Sequence, residues 1–76
     1  MVWPMVLHVE CAPGDGGALE PHVIWFGARR VAVSAIIDRW YGETQRWWKV
    51  DTPDGPYVLR LDEPSGTWEL AAVVRS

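Results

Sequence analysis

Turn-forming residues recur at short intervals along this chain and leave little room for a long helix. Gly and Pro clusters separate short runs that are rich in Val, Ile, Leu, Trp and Tyr. Such runs between regular turns are typical of all-β meanders, barrels and sandwiches. The predicted strands cover residues 5–11, 22–26, 30–40, 46–52, 56–62 and 67–74.

The two C-terminal strands show the clearest alternation of apolar and polar residues. Pairing them across residues 63–66 brings their apolar sets together on one face, as a half-buried antiparallel pair requires. The predicted neighbours are Leu61 with Trp68, Leu59 with Leu70, and Tyr57 with Ala72.

In the predicted strand 30–40 the alternation slips. The two valines before Ser34 have one parity, whereas Ile36, Asp38 and Trp40 have the other. A bulge near Ser34-Ala35 would reconcile the two halves and bend the strand. A long bent strand can close a small sheet into a barrel.

A chain of 76 residues allows one domain, which we place over residues 1–76. We predict an all-β fold, a small antiparallel meander that forms an SH3-like, partly open barrel of five or six strands. The six tryptophans exceed the needs of an ordinary small core, and we assign Trp40, Trp48 and Trp68 to that core.

Composition excludes several classes of protein. The chain is 49% hydrophobic with a net charge of −3, which excludes a disordered tail. No stretch is long and apolar enough to span a membrane, and the N-terminal residues lack the positive charge of a signal peptide. The single cysteine, Cys11, cannot form an intramolecular disulfide, so we expect a cytoplasmic protein.

Charge is unevenly distributed along the chain. Residues 29–49 contain five basic and two acidic residues, whereas the segments on either side are acidic. Such a cluster is most often a solvated face. It could also serve as a binding surface, although domains that bind nucleic acid usually have a net basic balance.

The motifs of the chain resemble those of one small bacterial domain family. The motifs are Ile36-Ile37-Asp38-Arg39-Trp40, Trp47-Trp48, Asp54-Gly55 and Gly66-x-Trp68-x-Leu70. This uncharacterised domain occurs alone and at the C-terminal end of mutasome subunits related to Y-family translesion DNA polymerases. The resemblance extends from about Leu7 to Val74 and implies a non-catalytic domain associated with DNA repair.

No catalytic motif accompanies these residues. No serine lies in a nucleophile elbow, and the glycine-rich loop at residues 14–17 lacks the lysine and helix of a phosphate-binding loop. A zinc site of His8, Cys11 and His22 is conceivable, because a hairpin would bring His8 near His22, but structural zinc usually takes four ligands. We therefore expect no enzyme, no metal and no cofactor.

The Trp47-Trp48 pair points to a surface, since successive strand residues face opposite sides of a sheet. If Trp48 and Val50 join the core, Trp47 and Lys49 face outward, and Lys49 comes near Arg60. Like charges across a strand pair are unfavourable, and such local conflicts often mark functional sites. Alternatively, Trp47 packs under residues 1–4.

We predict a basic patch with an exposed aromatic residue. Its members are Arg39, Arg46, Trp47, Lys49 and Arg60. Its partner would be single-stranded nucleic acid, whose bases stack on aromatic rings, or a repair or polymerase protein. A second candidate surface combines Trp25 with Arg29-Arg30. The alternative function is a structural or self-associating, homo-oligomeric domain without nucleic-acid contact.

Overall fold

The computed structural model describes residues 5–73 and confirms the all-β prediction. Seven antiparallel strands form one sheet, and a short 3₁₀ turn at Asp15–Gly17 joins the first two. The strands are β1 Met5–Pro13, β2 Leu19–Phe26, β3 Arg29–Ala32, β4 Ala35–Tyr41, β5 Gln45–Asp51, β6 Tyr57–Asp62 and β7 Thr67–Val73. The count exceeds the expected five or six because the predicted strand 30–40 is divided into β3 and β4.

The break between β3 and β4 curls the sheet. The strand order is β3-β2-β1-β7-β6-β5-β4, so two strands that follow one another in the chain form opposite edges. The Val33 N–H donates to the His22 carbonyl at 2.9 Å, and the next N–H, of Ser34, donates to the Asp51 carbonyl at 2.8 Å. Adjacent residues thus bond to β2 and β5, and the resulting partly open barrel is compatible with an SH3-like fold.

The β6–β7 hairpin largely follows the predicted register. Leu61 pairs with Trp68 and Leu59 with Leu70, as expected. The predicted pairing of Tyr57 with Ala72 is wrong, because a bulge shifts the register by one residue and Tyr57 pairs with Val73. The interior side of this hairpin nevertheless remains apolar.

A second bulge lies in β4, two residues beyond the predicted position. Ile36 pairs with Val50 and Asp38 with Lys49, which leaves Ile37 as the extra residue. The extra residue reverses the faces that follow it, so that Trp40 no longer shares a face with Ile36. The assignment of Trp40 to the core is therefore wrong, and 45% of Trp40 is exposed.

The core lies on the concave face of the curled sheet. Trp48 and Trp68 are buried there as predicted, and their ring centroids are 5.1 Å apart. Phe26 and Tyr57 form a second aromatic pair with centroids 5.4 Å apart. The other buried apolar residues of this cluster are Leu7, Val9, Ile24, Val31, Val50, Leu59 and Leu70. None of the helical structure within residues 5–73 is long and apolar enough to cross a membrane.

Candidate binding surfaces

The sheet separates the five predicted site residues into two groups. Directly opposed residues of an antiparallel pair share a face. Arg39 lies opposite the buried Trp48, and Arg46 lies opposite Leu61, so both arginines are on the inner face. The remaining three, Trp47, Lys49 and Arg60, are on the outer face. The five residues therefore do not form one continuous patch.

The predicted opposition of Lys49 and Arg60 does not occur. Arg60 lies opposite Trp47, while Lys49 lies between Val58 on β6 and Asp38 on β4. Arg60 also forms an ion pair with Glu69, and its Nε donates to the Glu69 carboxylate at 3.1 Å. Each outward cation thus has a carboxylate beside it, and the like-charge conflict inferred from the sequence is absent.

One outer row of side chains combines tryptophans with an ion pair. Trp40, Trp47, Arg60 and Glu69 lie opposite one another across β4, β5, β6 and β7, and we call this row the outer stripe. Trp40 occupies the edge strand and is the more exposed of the two tryptophans. Sequence reasoning missed Trp40 as a surface residue because the bulge at Ile37 has no distinctive residue type.

Trp47 is outward-facing, as predicted, and half-buried. Its ring lies against the β4–β5 turn, where a Cβ atom added to Gly42 would be 3.1 Å from Trp47 Cζ3. The alternative position, under residues 1–4, lies outside the described residues. Gly42 therefore contributes a flat platform for the ring at this end of the outer stripe.

The inner face of the β4–β5 hairpin holds a second arrangement, which centres on Arg46. The Arg46 Cζ atom lies 4.8 Å from the Tyr41 ring centroid and 4.9 Å from the Trp48 ring, within the range of cation–π attraction. Arg46 Nε and Trp48 Nε1 are buried and have no hydrogen-bond partner among the described residues. We call Arg46, Tyr41 and Trp48 the arginine–aromatic cluster.

Arg39 serves to close the sheet. Its Nε and Nη2 both donate to the Glu20 carboxylate, the latter at 3.0 Å, so the ion pair joins β4 to β2 across the gap between the sheet edges. The Arg39 hydrogen bond lowers the pKa of Glu20. Burial opposes this shift, and the charges of Arg39 and Arg46 add to it. A cleft of about 170 Å³ follows the same gap along residues 12–14, 20–22 and 33–36.

The conceivable zinc ligands are not brought together. His8 pairs with Trp25 and Cys11 with Pro21, so the hairpin does not place His8 opposite His22. No group of three or more His, Cys, Asp or Glu side chains that could hold a metal ion occurs in the described part of the chain. Partial desolvation raises the pKa of the Cys11 thiol, and the Arg46 charge opposes that rise.

The second candidate surface, around Trp25, is more fully bonded. The Trp25 indole N–H donates to Glu10, and Arg29 forms an ion pair with Asp54 of the β5–β6 turn. Arg30 is exposed and lies opposite Trp25. Because two of the three predicted members already have carboxylate partners, this surface offers fewer free groups to a ligand than its composition suggested.

Comparison with known proteins adds no relative. No protein-family model matches the chain, and no curated protein or solved structure is significantly similar to it. The resemblance to the domain of mutasome subunits stays a prediction from the sequence motifs.

Proposed function

We propose that this chain is a small, non-catalytic protein-binding module whose contact surface is the outer stripe. The observation that carries the proposal is the exposed Trp40 on an edge strand, directly opposite the half-buried Trp47. Tryptophan and arginine are enriched among the residues that dominate protein–protein binding energy. The outer stripe supplies both, on the rigid support of a sheet.

Charge favours a protein over a nucleic acid as the partner. The outward charged residues of β4–β7 are Asp38, Lys49, Asp51, Arg60, Asp62 and Glu69. Four carboxylates thus outnumber two cations on this face. Binding of single strands depends on a positively charged groove that follows the phosphates. A face with excess negative charge repels phosphates, although its tryptophans could stack on bases.

The edge of the sheet favours contact through side chains rather than through strand addition. The Asp38 carboxylate accepts a hydrogen bond from the Arg39 backbone N–H at 2.8 Å, and the neighbouring bulge at Ile37 interrupts the ladder. Bulges and charged residues on edge strands discourage pairing with another chain. A partner would therefore contact the tryptophan rings on the face of the sheet.

The sequence resemblance suggests which partner to examine first. A mutasome subunit related to Y-family polymerases is the first candidate, and the single cysteine supports a cytoplasmic location. Self-association of the domain through the same stripe is the competing outcome. Binding of the polymerase subunit and self-association would both require Trp40. The experiment must therefore show whether the complex contains the subunit or only copies of this domain.

Sedimentation and fluorescence titration test the proposal together. We expect the domain to stay monomeric, to bind the purified polymerase subunit, and to lose at least about tenfold in affinity in Trp40→Ala, equivalent to about 1.4 kcal/mol. Trp25→Ala is the matched control and should bind normally. Unchanged binding in Trp40→Ala would contradict the outer stripe as the interface.

Two other results would replace the proposal. A sedimentation coefficient that rises with protein concentration and returns to the monomer value in Trp40→Ala would indicate self-association. Quenching by an oligothymidine at low salt that disappears in Trp47→Ala would indicate a nucleic-acid ligand. Melting temperatures of each variant show whether the domain is still folded in these assays.

A further inference from the structure

Arg46 differs from the ion-paired arginines of this chain because it has no carboxylate partner among residues 5–73. Arg29, Arg39 and Arg60 each form an ion pair with an acidic residue. Arg46 lies on the inner face with its guanidinium beside the Tyr41 and Trp48 rings, and its Nε is a buried donor without an acceptor among the described residues.

The side chain next to Arg46 repeats this feature. Trp48 is 1% exposed, and its Nε1 donor also lacks an acceptor among residues 5–73. Arg39 lies on the same face but is ion-paired with Glu20, so it attracts an incoming anion less strongly than Arg46 does. The cluster therefore presents one guanidinium that has no ion-pair partner among residues 5–73, beside two buried N–H groups that a ligand does not reach.

We propose that the arginine–aromatic cluster is a carboxylate-binding site. The Tyr41 and Trp48 rings hold the guanidinium in place, and the terminal Nη1 and Nη2 nitrogens donate to the two oxygens of one carboxylate. Nε is sealed, so an acceptor must approach these terminal nitrogens. Arginine binds carboxylates in this bidentate manner, with a planar fork that lysine lacks.

Exposure and charge define the ligand further. Tyr41 is 64% exposed, so one wall of the cluster is open to solvent at the β4–β5 turn. A single guanidinium matches a monoanion, because the Glu20 carboxylate, whose pKa the Arg46 charge helps to lower, repels a phosphate dianion more strongly than a monocarboxylate. The site does not depend on the proposed function, because it uses the opposite face from the outer stripe.

An NMR titration with sodium acetate tests the site. The side-chain resonances of Arg46 Nε–H and Trp48 Nε1–H report directly on the cluster. We expect both to shift saturably, with half-saturation on the order of 10 mM, and to remain unchanged in sodium chloride of equal ionic strength. Sodium phosphate forms a second arm, in which we expect the shifts to be smaller than with acetate.

Variants tie the response to the fork of Arg46. Arg46→Lys keeps the charge but should weaken acetate binding at least about tenfold, as judged by Trp48 Nε1–H. The exposed Arg30→Lys is the matched control and should respond as the original protein does. Since Arg46→Lys could also disturb the fold, Tyr41→Ala provides a second variant, which should weaken binding several-fold and leave the melting temperature nearly unchanged.

The overturning results are equally specific. The proposal is wrong if acetate produces no saturable shift in the original protein, or if Arg46→Lys responds as strongly. An equal response to chloride would mean that the shifts report general ionic screening, and it would overturn the proposed site. A response to phosphate equal to or stronger than that to acetate would overturn the assignment to carboxylates.

Discussion

The β6–β7 and β4–β5 hairpins belong to the same sheet but use their inner faces differently. On β6–β7 the inner face carries Leu59, Leu61, Trp68 and Leu70, which belong to the core or pack against it. On β4–β5 the inner face carries Arg39 and Arg46 beside core residues, and a tryptophan faces outward on each strand. One hairpin supplies mainly packing, whereas the other combines charged and aromatic side chains on each of its two faces.

The difference shows how a single bulge determines which side chains of a very small domain face outward. If the same sequence formed no bulge, an uninterrupted register from Ile36 would place Trp40 on the inner face and Arg39 outside. With the bulge, Arg39 reaches Glu20 and joins the sheet edges, while Trp40 is exposed on the outer face. The ion pair that joins the sheet edges and the exposure of Trp40 thus have one structural cause.

Truncating one tryptophan on each hairpin should produce the largest contrast. We expect Trp68→Ala to destabilise the domain by about 3–5 kcal/mol, since it removes a buried ring that packs on Trp48. Trp40→Ala should cost less than about 1 kcal/mol, because Trp40 is 45% exposed and lies outside the buried core. Urea unfolding curves measure both values, and comparable losses would break the distinction between the hairpins.

The ion pair that joins the sheet edges should make stability depend on pH. Glu20→Gln should cost about 1–2 kcal/mol at neutral pH, since it removes a partly buried charged partner of Arg39. Glu63→Gln, at an exposed position, is the matched control. Thermal unfolding of both variants and of the original protein measures these differences.

The sign of the pH effect follows from the lowered pKa of Glu20. The Glu20 contribution is fully present above the pKa of an unfolded glutamate, about 4.3. It is lost as the pH falls through the lower pKa of the folded protein. The difference between the original protein and Glu20→Gln should therefore shrink on acidification below about pH 4. A difference that stayed constant would contradict the ionic role of Glu20.

Deletion of Ile37 tests whether this residue is the extra residue of the β4 bulge. Removal of the extra residue should leave the pairing of Trp40 with Trp47 unchanged and convert the bulge to a regular ladder. We expect a loss of less than about 2 kcal/mol, measured by urea unfolding. If β4 had no bulge, the same deletion would move every later side chain of the strand to the opposite face and unfold the domain. A severe loss of stability would therefore contradict the register described here.

A small effect is also expected of Gly42→Ala in the β4–β5 turn. The new methyl group would lie 3.1 Å from Trp47 Cζ3, so the ring must shift by a few tenths of an ångström. We expect a stability change of about 0.5–1 kcal/mol with a clear shift of the Trp47 indole resonance. An unshifted Trp47 resonance would mean that the ring does not lie on Gly42.

Sequence reasoning predicted the parts of this fold that depend on regular alternation. The all-β class, the burial of Trp48 and Trp68, and the Leu61–Trp68 and Leu59–Leu70 pairs follow from period-two patterns. The slip in strand 30–40 correctly indicated an irregular, bent segment. The position of the irregularity could not be read, because a bulge residue such as Ile37 needs no special composition.

The candidate site was less predictable for the same physical reason. No bulge interrupts β5, so the alternation of the sequence predicts the correct face for Trp47 and Lys49. Arg39 and Trp40 follow the bulge of β4, and the same alternation predicts the wrong face for both. Arg46 was grouped with the outer residues by its charge, although its parity matches Trp48. Charge clusters along a chain do not determine which side of a sheet each residue faces.

Backbone NOEs across the β4–β5 hairpin test the central claim most directly. The bulge at Ile37 predicts cross-strand NOEs from Trp40 to Trp47 and from Arg39 to Trp48. A continuous ladder from Ile36 predicts instead NOEs from Trp40 to Arg46 and from Arg39 to Trp47. The first set would confirm that one extra residue places Trp40 outside and Arg39 inside, and the second set would contradict both surfaces described for this hairpin.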